Sequence, residues 1–195
     1  MPRQRRTESP TKVYHWIARS VGQNALFRQE ADYVSFLWYA QKYCGQYKIA
    51  VFHYCIMSDH AHLLIQAANL EALIKFSYYT LRMYAYYYGR THAIPGQVFR
   101  RMYRSIPVDR DEYLLECGRY IERNPVNAGL AKLPEKYPYS SYRYYAKGEA
   151  DPIISPSPAF MGLSELEAER RRQYVQYVEQ ERSIDALIAG PFARI

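Results

Sequence analysis

Hydrophobic and polar residues follow two different periods in the first third of the chain. Residues 13–18 are rich in β-branched and aromatic side chains, which is typical of a β-strand. From Glu30 to Tyr43 the apolar residues recur at every third or fourth position, after an acidic start and before Gly45, and this spacing predicts a helix. The chain therefore begins with a strand followed by a helix.

A β-hairpin is predicted next. Residues 49–57 form an apolar, β-branched segment, Ser58 and Asp59 supply a tight turn, and residues 60–66 return as the next strand. Because side chains alternate between the two faces of a strand, His60 and the histidine two positions later lie on the same face.

The two histidines of this strand are the first candidates for chemistry. His60 and His62 share one face, while Ala61 lies on the apolar side. Two neutral imidazoles on one face can bind one metal ion, although an ordinary edge strand also carries such a pair by chance. On this register His62 lies opposite Cys55. His53 lies on the same face and is predicted to be a partly buried polar residue rather than a ligand, because diagonal positions are about 7–8 Å apart.

The middle of the chain predicts a long helix and a fourth strand. Asn69 is a suitable cap for a helix from about Leu70 to Tyr88, which Gly89 ends. Residues 96–105 then predict a turn into a strand with a cationic exposed side, which either binds phosphates or is a solvated sheet edge.

The last third predicts two helices separated by a linker. A helix begins at Asp109 and ends near Arg123, because the following Asn-Pro sequence disfavours helical geometry. Residues 151–158 are proline-rich and predict a linker, and Ser164 begins a capping-box sequence before a charged helix that ends near Arg182.

This order of elements predicts an α+β fold. We expect an antiparallel sheet with helices on one face, an open face that carries the histidines, and a C-terminal helical extension. The predicted domain organisation is a basic arm over residues 1–12, a principal domain over 13–150, and a linker with a C-terminal helical extension over 151–195.

Charge and tyrosine content indicate a polyanionic partner. The chain has 195 residues, a net charge of +7 and 22 tyrosines against seven phenylalanines and two tryptophans. Tyrosine stacks on unpaired bases, so this composition favours single-stranded nucleic acid, although a merely basic soluble protein is the alternative. The candidate DNA-binding residues are Arg3, Arg5, Arg6, Lys12, Arg100, Arg101 and Arg104.

The cysteines and the hydropathy indicate a cytoplasmic protein without a membrane partner. Cys44, Cys55 and Cys117 are odd in number, widely spaced and set in apolar segments, so they predict core residues rather than disulfides or a zinc cluster. No run of about 18 uncharged apolar residues occurs, so we expect neither a membrane span nor export.

The helix from Asp109 supplies the second part of a candidate site. Tyr120 and Asn124 lie one turn apart on one face. If that face overlies the sheet, the side-chain oxygen of Asn124 joins His60 and His62 as a third metal ligand, and Tyr120 lies beside the ion. Such a neutral ligand set suits a divalent cation that binds phosphate. The alternatives are that Tyr120 packs in the core and that Asn124 only ends its helix.

The chain resembles the REP-associated tyrosine transposases, a branch of the HUH single-strand nucleases related to the single-tyrosine insertion-sequence transposases. The resemblance covers residues 13–145. The matching motifs are Leu26-Phe27 with Asp32-Tyr33, Met57 to Leu64, Gly96 and Phe99 with Arg104-Ser105, Tyr120-Ile121 with Asn124-Pro125-Val126 and Ala128-Gly129, and Ser140-Ser141-Tyr142. Two positions depart from the usual pattern: Ala61 replaces a bulkier residue, and Tyr139 replaces tryptophan.

The resemblance implies a fold, a cofactor and residue roles. The fold is a ferredoxin-like, RRM-like antiparallel sheet, and the cofactor is Mg²⁺ or Mn²⁺. The catalytic residues are Tyr120, His60 and His62, with Tyr120 as nucleophile. The metal ligands are His60, His62 and Asn124. The implied substrate is a repetitive extragenic palindrome folded as a DNA hairpin beside a short tetranucleotide.

The sequence therefore predicts a metal-dependent single-stranded DNA endonuclease and strand transferase that acts on REP-type hairpins through a 5′-phosphotyrosine. One alternative is a non-catalytic hairpin-binding protein derived from a transposase, and another is metal-dependent hydrolysis by water without Tyr120. We expect a nucleoid-associated protein of the bacterial type. A monomer is favoured, and a homodimer is the alternative.

Overall fold

A computed structural model describes residues 7–100, 102–110 and 112–180. Within these residues the strands are β1 (Val13–Arg19), β2 (Ile49–Ile56), β3 (His60–Ala67) and β4 (Arg104–Val108). The helices are α1 (Glu30–Tyr47), α2 (Leu70–His92), α3 (Glu112–Asn127), α4 (Tyr142–Lys147), α5 (Pro158–Met161) and α6 (Glu167–Glu179). Short 3₁₀ turns occupy Val21–Gln23 and Pro134–Lys136.

The four strands form one antiparallel sheet in the order β2-β3-β1-β4. The succession β1-α1-β2-β3-α2-β4 with this order is the ferredoxin-like arrangement, so the predicted α+β class is confirmed. It places β3, the strand with the histidine pair, in the interior of the sheet between β2 and β1.

Helices α1 and α2 cover one face of the sheet with an aromatic core. Alternate residues of β1 and β3 point into this layer, and Trp16 lies fully buried between Phe36 of α1 and Phe76 of α2. Ala61 is buried on the same side, as the alternation predicts. Apolar burial on this face fixes the register of both strands, since a slip of one residue would expose the whole set.

The opposite face of the sheet is covered by α3. Val13 and Leu64 of the sheet pack there against Leu114 and Ile121 of the helix. The expected open histidine face is therefore a covered one, because α3 carries an apolar stripe that requires burial. Helices α4, α5 and α6 pack behind it, around a smaller apolar cluster that includes Phe160.

Two predicted helix ends are wrong by about one turn. The first helix continues past Gly45 to Tyr47 and ends where Lys48 takes a left-handed conformation with φ 53°. The second continues past Gly89 to His92 and ends where Ala93 takes a left-handed conformation with φ 54°. The predicted cap of α2 is confirmed, since the Asn69 side chain accepts a hydrogen bond from the Ala72 amide.

The prediction that Asn124-Pro125 ends the third helix is also wrong. Pro125 lies inside α3, which runs to Asn127. Proline supplies no amide hydrogen to the carbonyl of Ile121, and the side-chain amide of Asn124 donates to that oxygen instead, at 3.3 Å. The helix begins at Glu112 rather than at Asp109.

The fourth strand and the last helix begin later than predicted. Strand β4 starts at Arg104, and the segment before it forms only an isolated bridge between Phe99 and Ser20. Helix α6 starts at Glu167, and Ser164 accepts a hydrogen bond from the Leu166 amide ahead of the helix instead of capping it. The predicted end at Arg182 lies outside the described residues.

The cysteine prediction is confirmed, because Cys44, Cys55 and Cys117 are free and buried. Within the described part of the chain, no helix is both long and apolar enough to cross a membrane. Within the predicted linker, Ile154 forms an isolated bridge with Val51 of β2 at the edge of the sheet, and the Ser155 amide donates to the Val51 carbonyl.

Candidate nucleophile and metal site

The predicted hairpin and its register are confirmed. His62 pairs with Cys55 across β2 and β3, and the amide of Met57 donates to the carbonyl of His60 at 2.8 Å. The tight turn at residues 58–59 thus fixes His60 at the start of β3 and His62 two residues further, on the face covered by α3. His62 is buried, whereas His60 remains partly exposed.

The two imidazoles lie close together on one face of the sheet. Their ring centroids are 4.8 Å apart and their planes are nearly perpendicular, at 87°. With metal–nitrogen distances of about 2.1 Å, two imidazoles at adjacent octahedral positions have centroids about 4.5 Å apart. The observed separation is compatible with this value.

A third histidine, His15 of β1, fixes the orientation of His62. Its Nε2 lies 2.8 Å from Nδ1 of His62, and the rings stack at 5.0 Å. Burial, assisted by the charge of Arg104, lowers the pKa of His15 to about 3. Burial also lowers the pKa of His62 well below its ordinary value. Both rings are therefore neutral, and one donates to the other.

His60 is oriented by a carboxylate instead. Its Nδ1 donates to Oδ1 of Asp59 at 2.6 Å, and Arg19 lies 3.4 Å from the other carboxylate oxygen. The hydrogen bond from His60 and the charge of Arg19 hold the pKa of Asp59 below its ordinary value, against the opposing effect of burial. Asp59 is therefore ionised at neutral pH and accepts a hydrogen bond from Nδ1 of His60.

These contacts decide which nitrogen atoms remain for a ligand. Nδ1 of His60 and Nδ1 of His62 both take part in hydrogen bonds within the protein. Nε2 of each ring is the remaining nitrogen, and a neutral histidine whose Nδ1 donates has its lone pair there. Metal-binding histidines are characteristically oriented by such outer partners.

Tyr120 of α3 lies beside this histidine cluster. Its ring is 6.0 Å from that of His62 and 5.9 Å from that of His15, edge-on to both. The residue is 9% exposed, and burial, with a smaller effect of Cys117, raises the pKa of Tyr120 above its ordinary value. The phenol is thus protonated and uncharged at neutral pH.

Asn124 lies one turn beyond Tyr120 on the same helix. Its Nδ2 donates to the carbonyl oxygens of Tyr120 and Ile121 at 2.8 and 3.3 Å, which directs Oδ1 away from the helix backbone. Over residues 7–100, 102–110 and 112–180, no group of three or more His, Cys, Asp or Glu side chains is arranged to hold a metal ion.

The basic residues are distributed unequally around this site. Arg104 of β4 pairs with Ile17 of β1, and the backbone amide of Arg100 donates to the carbonyl of Arg19 at 2.9 Å. These arginines therefore lie near the histidine end of β1. Lys12 precedes the other end of β1, about 20 Å away by strand rise. The remaining predicted DNA-binding residues, Arg3, Arg5, Arg6 and Arg101, lie outside the described residues.

Comparison with known proteins identifies the family. The family described as "Transposase IS200 like" matches residues 10–124. The chain belongs to the IS200-like transposases. A solved structure titled "Structure of the REP associates tyrosine transposase bound to a REP hairpin" shares the fold, with a TM-score of 0.60, 12% identity, and coverage of 80% of this chain and 92% of that chain. No curated protein matches the chain.

The part of the chain that matches the family ends within α3. It includes β1, β3 and Tyr120, and its last residue is Asn124. The motif-based resemblance found in the sequence is therefore confirmed at the level of the family. Sequence reasoning missed His15, Asp59 and Arg19, although the position of His15 in a predicted strand was the available signal.

Proposed function

We propose that this transposase cleaves and rejoins single-stranded DNA beside a hairpin, with Tyr120 as the nucleophile. The observation that carries the proposal is the position of Tyr120, whose ring lies 6.0 Å from that of His62 on the covered face of the sheet. The ring of His15 lies 5.9 Å from Tyr120 on the same face, so two histidines adjoin the phenol.

In the proposed step, Oη of Tyr120 attacks the phosphorus atom of a DNA phosphodiester. A P–Oη bond forms, the P–O3′ bond breaks, and the 3′ oxygen leaves as a hydroxyl after taking up one proton, while the phenol loses one. The product is a 5′-phosphotyrosine and a free 3′-hydroxyl. A 3′-hydroxyl that attacks the phosphotyrosine reverses the step, so rejoining needs no ATP.

We propose that Nε2 of His60, Nε2 of His62 and Oδ1 of Asn124 hold the divalent cation, Mg²⁺ or Mn²⁺. When bound, such a cation polarises the phosphoryl group and offsets the negative charge that develops on it. Because the three residues are neutral, they leave the full positive charge for the phosphate. In this proposal His15 and Asp59 hold the imidazoles in position, and Arg19 forms an ion pair with Asp59.

The proposed substrate is a hairpin of the REP type. The structural relative is bound to a REP hairpin according to its title, and this chain carries a net charge of +7 with Arg19, Arg100 and Arg104 near the histidines. Phosphate contacts by such residues position DNA without reading its sequence. The proposed active form is a monomer, because His15, His60, His62 and Tyr120 come together within one chain.

The test is incubation with a synthetic single-stranded DNA hairpin carrying single-stranded flanks and Mn²⁺, followed by electrophoresis in SDS. We expect a covalent protein–DNA adduct that Tyr120→Phe abolishes and EDTA prevents. Tyr113→Phe is the matched control, because Tyr113 lies on the same helix but is 55% exposed, and it should leave the adduct unchanged.

Two outcomes would contradict the proposal. Cleavage that persists in Tyr120→Phe would indicate hydrolysis by water, and hairpin binding by the wild-type protein without cleavage would indicate a non-catalytic binding protein. Loss of the adduct in both tyrosine variants would show that the helix, rather than the Tyr120 hydroxyl, had been disturbed.

A further inference from the structure

The flank of α3 away from Tyr120 carries a buried polar cluster that the proposed reaction does not use. Glu122 is fully buried, and its Oε1 accepts hydrogen bonds from Nδ1 of His53 at 3.0 Å and from Oγ of Ser141 at 2.6 Å. Its Oε2 accepts from the hydroxyl of Tyr174 at 2.6 Å. His53, expected to be partly buried, is in fact fully enclosed and stacks on Tyr145 at 4.4 Å.

This cluster joins four separate parts of the chain. Glu122 comes from α3, His53 from β2, Ser141 from the segment before α4, and Tyr174 from α6. A buried carboxylate destabilises the fold unless its oxygen atoms accept hydrogen bonds. The loss of any one donor therefore leaves an unpaired acceptor and weakens the contacts among all four parts. Burial and the nearby Glu122 raise the pKa of Tyr174 well above its ordinary value, so it remains a donor.

A second set of contacts attaches α3 to the end of α6. Nε of Arg119 donates to the carbonyl of Tyr177 at 3.1 Å, and another nitrogen of the same guanidinium donates to Gln180. One turn later, Arg123 donates to the carbonyl of Val178 at 3.0 Å. The last carbonyls of a helix lack partners within it and carry partial negative charge, so two buried arginines stabilise this end of α6.

The residues of α3 that make these contacts lie immediately before and after Tyr120 in the helix. Arg119, Glu122 and Arg123 all lie within one turn of it, on the side that faces α6 and β2. Immediately before them, Gly118 lies so close to the His53 ring that a Cβ atom would be 2.7 Å from Nε2. Helix α3 therefore has little freedom to slide or rotate, and misplacing a reacting group by about 1 Å can cost about 100-fold in rate.

We propose that α6 is a positioning element for the nucleophile, which it holds over the histidine pair through the Tyr174–Glu122 hydrogen bond and the two arginines of α3. The proposal rests on the proposed function, because it assigns α6 a role in that same reaction. It also gives a role to a segment beyond the part of the chain that matches the family, which ends at residue 124.

The test is Tyr174→Phe, which keeps the ring packed against Phe160 and Tyr145 and removes only the hydroxyl. We expect the rate of adduct formation with a DNA hairpin and Mn²⁺ to fall by about tenfold or more. The affinity for the same hairpin should stay within about twofold of the wild type, because the proposed cation and phosphate contacts lie on the other side of α3.

Tyr84→Phe is the matched control for lost stability. Tyr84 is also fully buried and donates one hydrogen bond, to the carbonyl of Leu26, but it lies on the α1–α2 side of the sheet. It should leave the adduct rate unchanged. A wild-type rate in Tyr174→Phe, or an equal loss of rate in both variants, would overturn the proposal.

A second measurement separates this inference from the proposed function. Amide hydrogen exchange of α3, residues 112–127, should be faster in Tyr174→Phe than in wild type and unchanged in Tyr84→Phe. If the wild-type protein forms no adduct, the proposed function fails, and exchange alone then decides whether α6 holds α3. Equal exchange in wild type and Tyr174→Phe would contradict the positioning role.

Discussion

The two faces of the sheet are built from different kinds of residue. The face under α1 and α2 is filled by apolar and aromatic side chains such as Trp16 and Phe36. The face under α3 carries four of the five histidines of the chain, at positions 15, 53, 60 and 62. One strand, β3, contributes to both faces, with Ala61 on the first and His62 on the second.

The two faces therefore have different expected roles: the face under α1 and α2 stabilises the fold, and the face under α3 carries the residues of the proposed reaction. Apolar burial contributes about 25 cal/mol per Å² and needs no partners, so the α1–α2 face stabilises the fold. Buried imidazoles and carboxylates contribute little unless every polar atom is satisfied, but they can orient a ligand. We therefore expect substitutions of the apolar residues under α1 and α2 to change mainly the free energy of unfolding, and those of the histidines near Tyr120 to change mainly the proposed function.

The largest expected effect is that of Phe36→Ala on stability. Phe36 is fully buried and packs edge-on against Phe27 and Tyr84, with centroids 5.4 Å apart in both cases. Removing the ring should lower the free energy of unfolding by about 3–5 kcal/mol, as measured by urea denaturation. Trp38→Ala, at a 54% exposed position of the same helix, should cost less than about 1 kcal/mol. Similar losses in both variants would contradict the assignment of this face to stability.

A smaller effect is expected from Gly118→Ala on the other face. The new Cβ would lie 2.7–2.8 Å from three atoms of the His53 ring, so α3 or the ring must move. The free energy of unfolding should fall by about 1–3 kcal/mol. Gly45→Ala, in an exposed turn of α1 with no atom within 4 Å, should instead raise it by about 0.5–1 kcal/mol. Stabilisation by both substitutions would show that α3 does not pack tightly on His53.

The parts of this comparison that depend on local pattern were predictable from sequence. The hairpin register follows from a two-residue turn between alternating strands, and it correctly paired His62 with Cys55. The helical spacing of Tyr120 and Asn124 likewise placed them one turn apart on α3. Both inferences need only residues that are close together in the chain.

The remaining features depend on residues that are distant in sequence. His15 contacts His62 because β1 pairs with β3. The hydrophobic periodicity of a strand does not predict which other strand it pairs with. Helix α3 continues through Pro125 because the Asn124 side chain bonds a carbonyl that proline leaves unpaired, which overrides the usual effect of proline. Predicting that α3 covers the histidine face would have required knowing where α3 packs on the sheet.

The effect of His15→Phe should be larger on metal binding than on folding. Phenylalanine keeps the ring stacked on His62 but removes the hydrogen bond between Nε2 of His15 and Nδ1 of His62, which lie 2.8 Å apart. We expect affinity for Mn²⁺, measured by titration calorimetry, to fall about 10–100-fold. Ser77→Ala removes a comparable buried hydrogen bond on the apolar face, 2.9 Å long and donated by Trp16. It should lower stability and leave Mn²⁺ affinity unchanged, and equal loss of affinity in the two variants would contradict the division between the faces.

The smallest expected effect concerns Asp32, a buried carboxylate on the α1–α2 side of the molecule. Burial alone would raise the pKa of Asp32, but hydrogen bonds lower it overall. The donors are His92, the backbone amides of Arg28 and Gln29, and the hydroxyl of Tyr87.

A lowered pKa in the folded state gives a defined pH dependence of stability. The contribution of Asp32 is fully present above the unfolded pKa of about 3.9 and is lost as the pH falls through the lower folded value. Asp32→Asn should therefore flatten the decline of the unfolding free energy below about pH 4, as measured by urea denaturation at each pH. His92→Gln, which removes the strongest of the lowering hydrogen bonds, should give an intermediate slope. An unchanged slope in Asp32→Asn would contradict a contribution of Asp32 to the acid sensitivity of the fold.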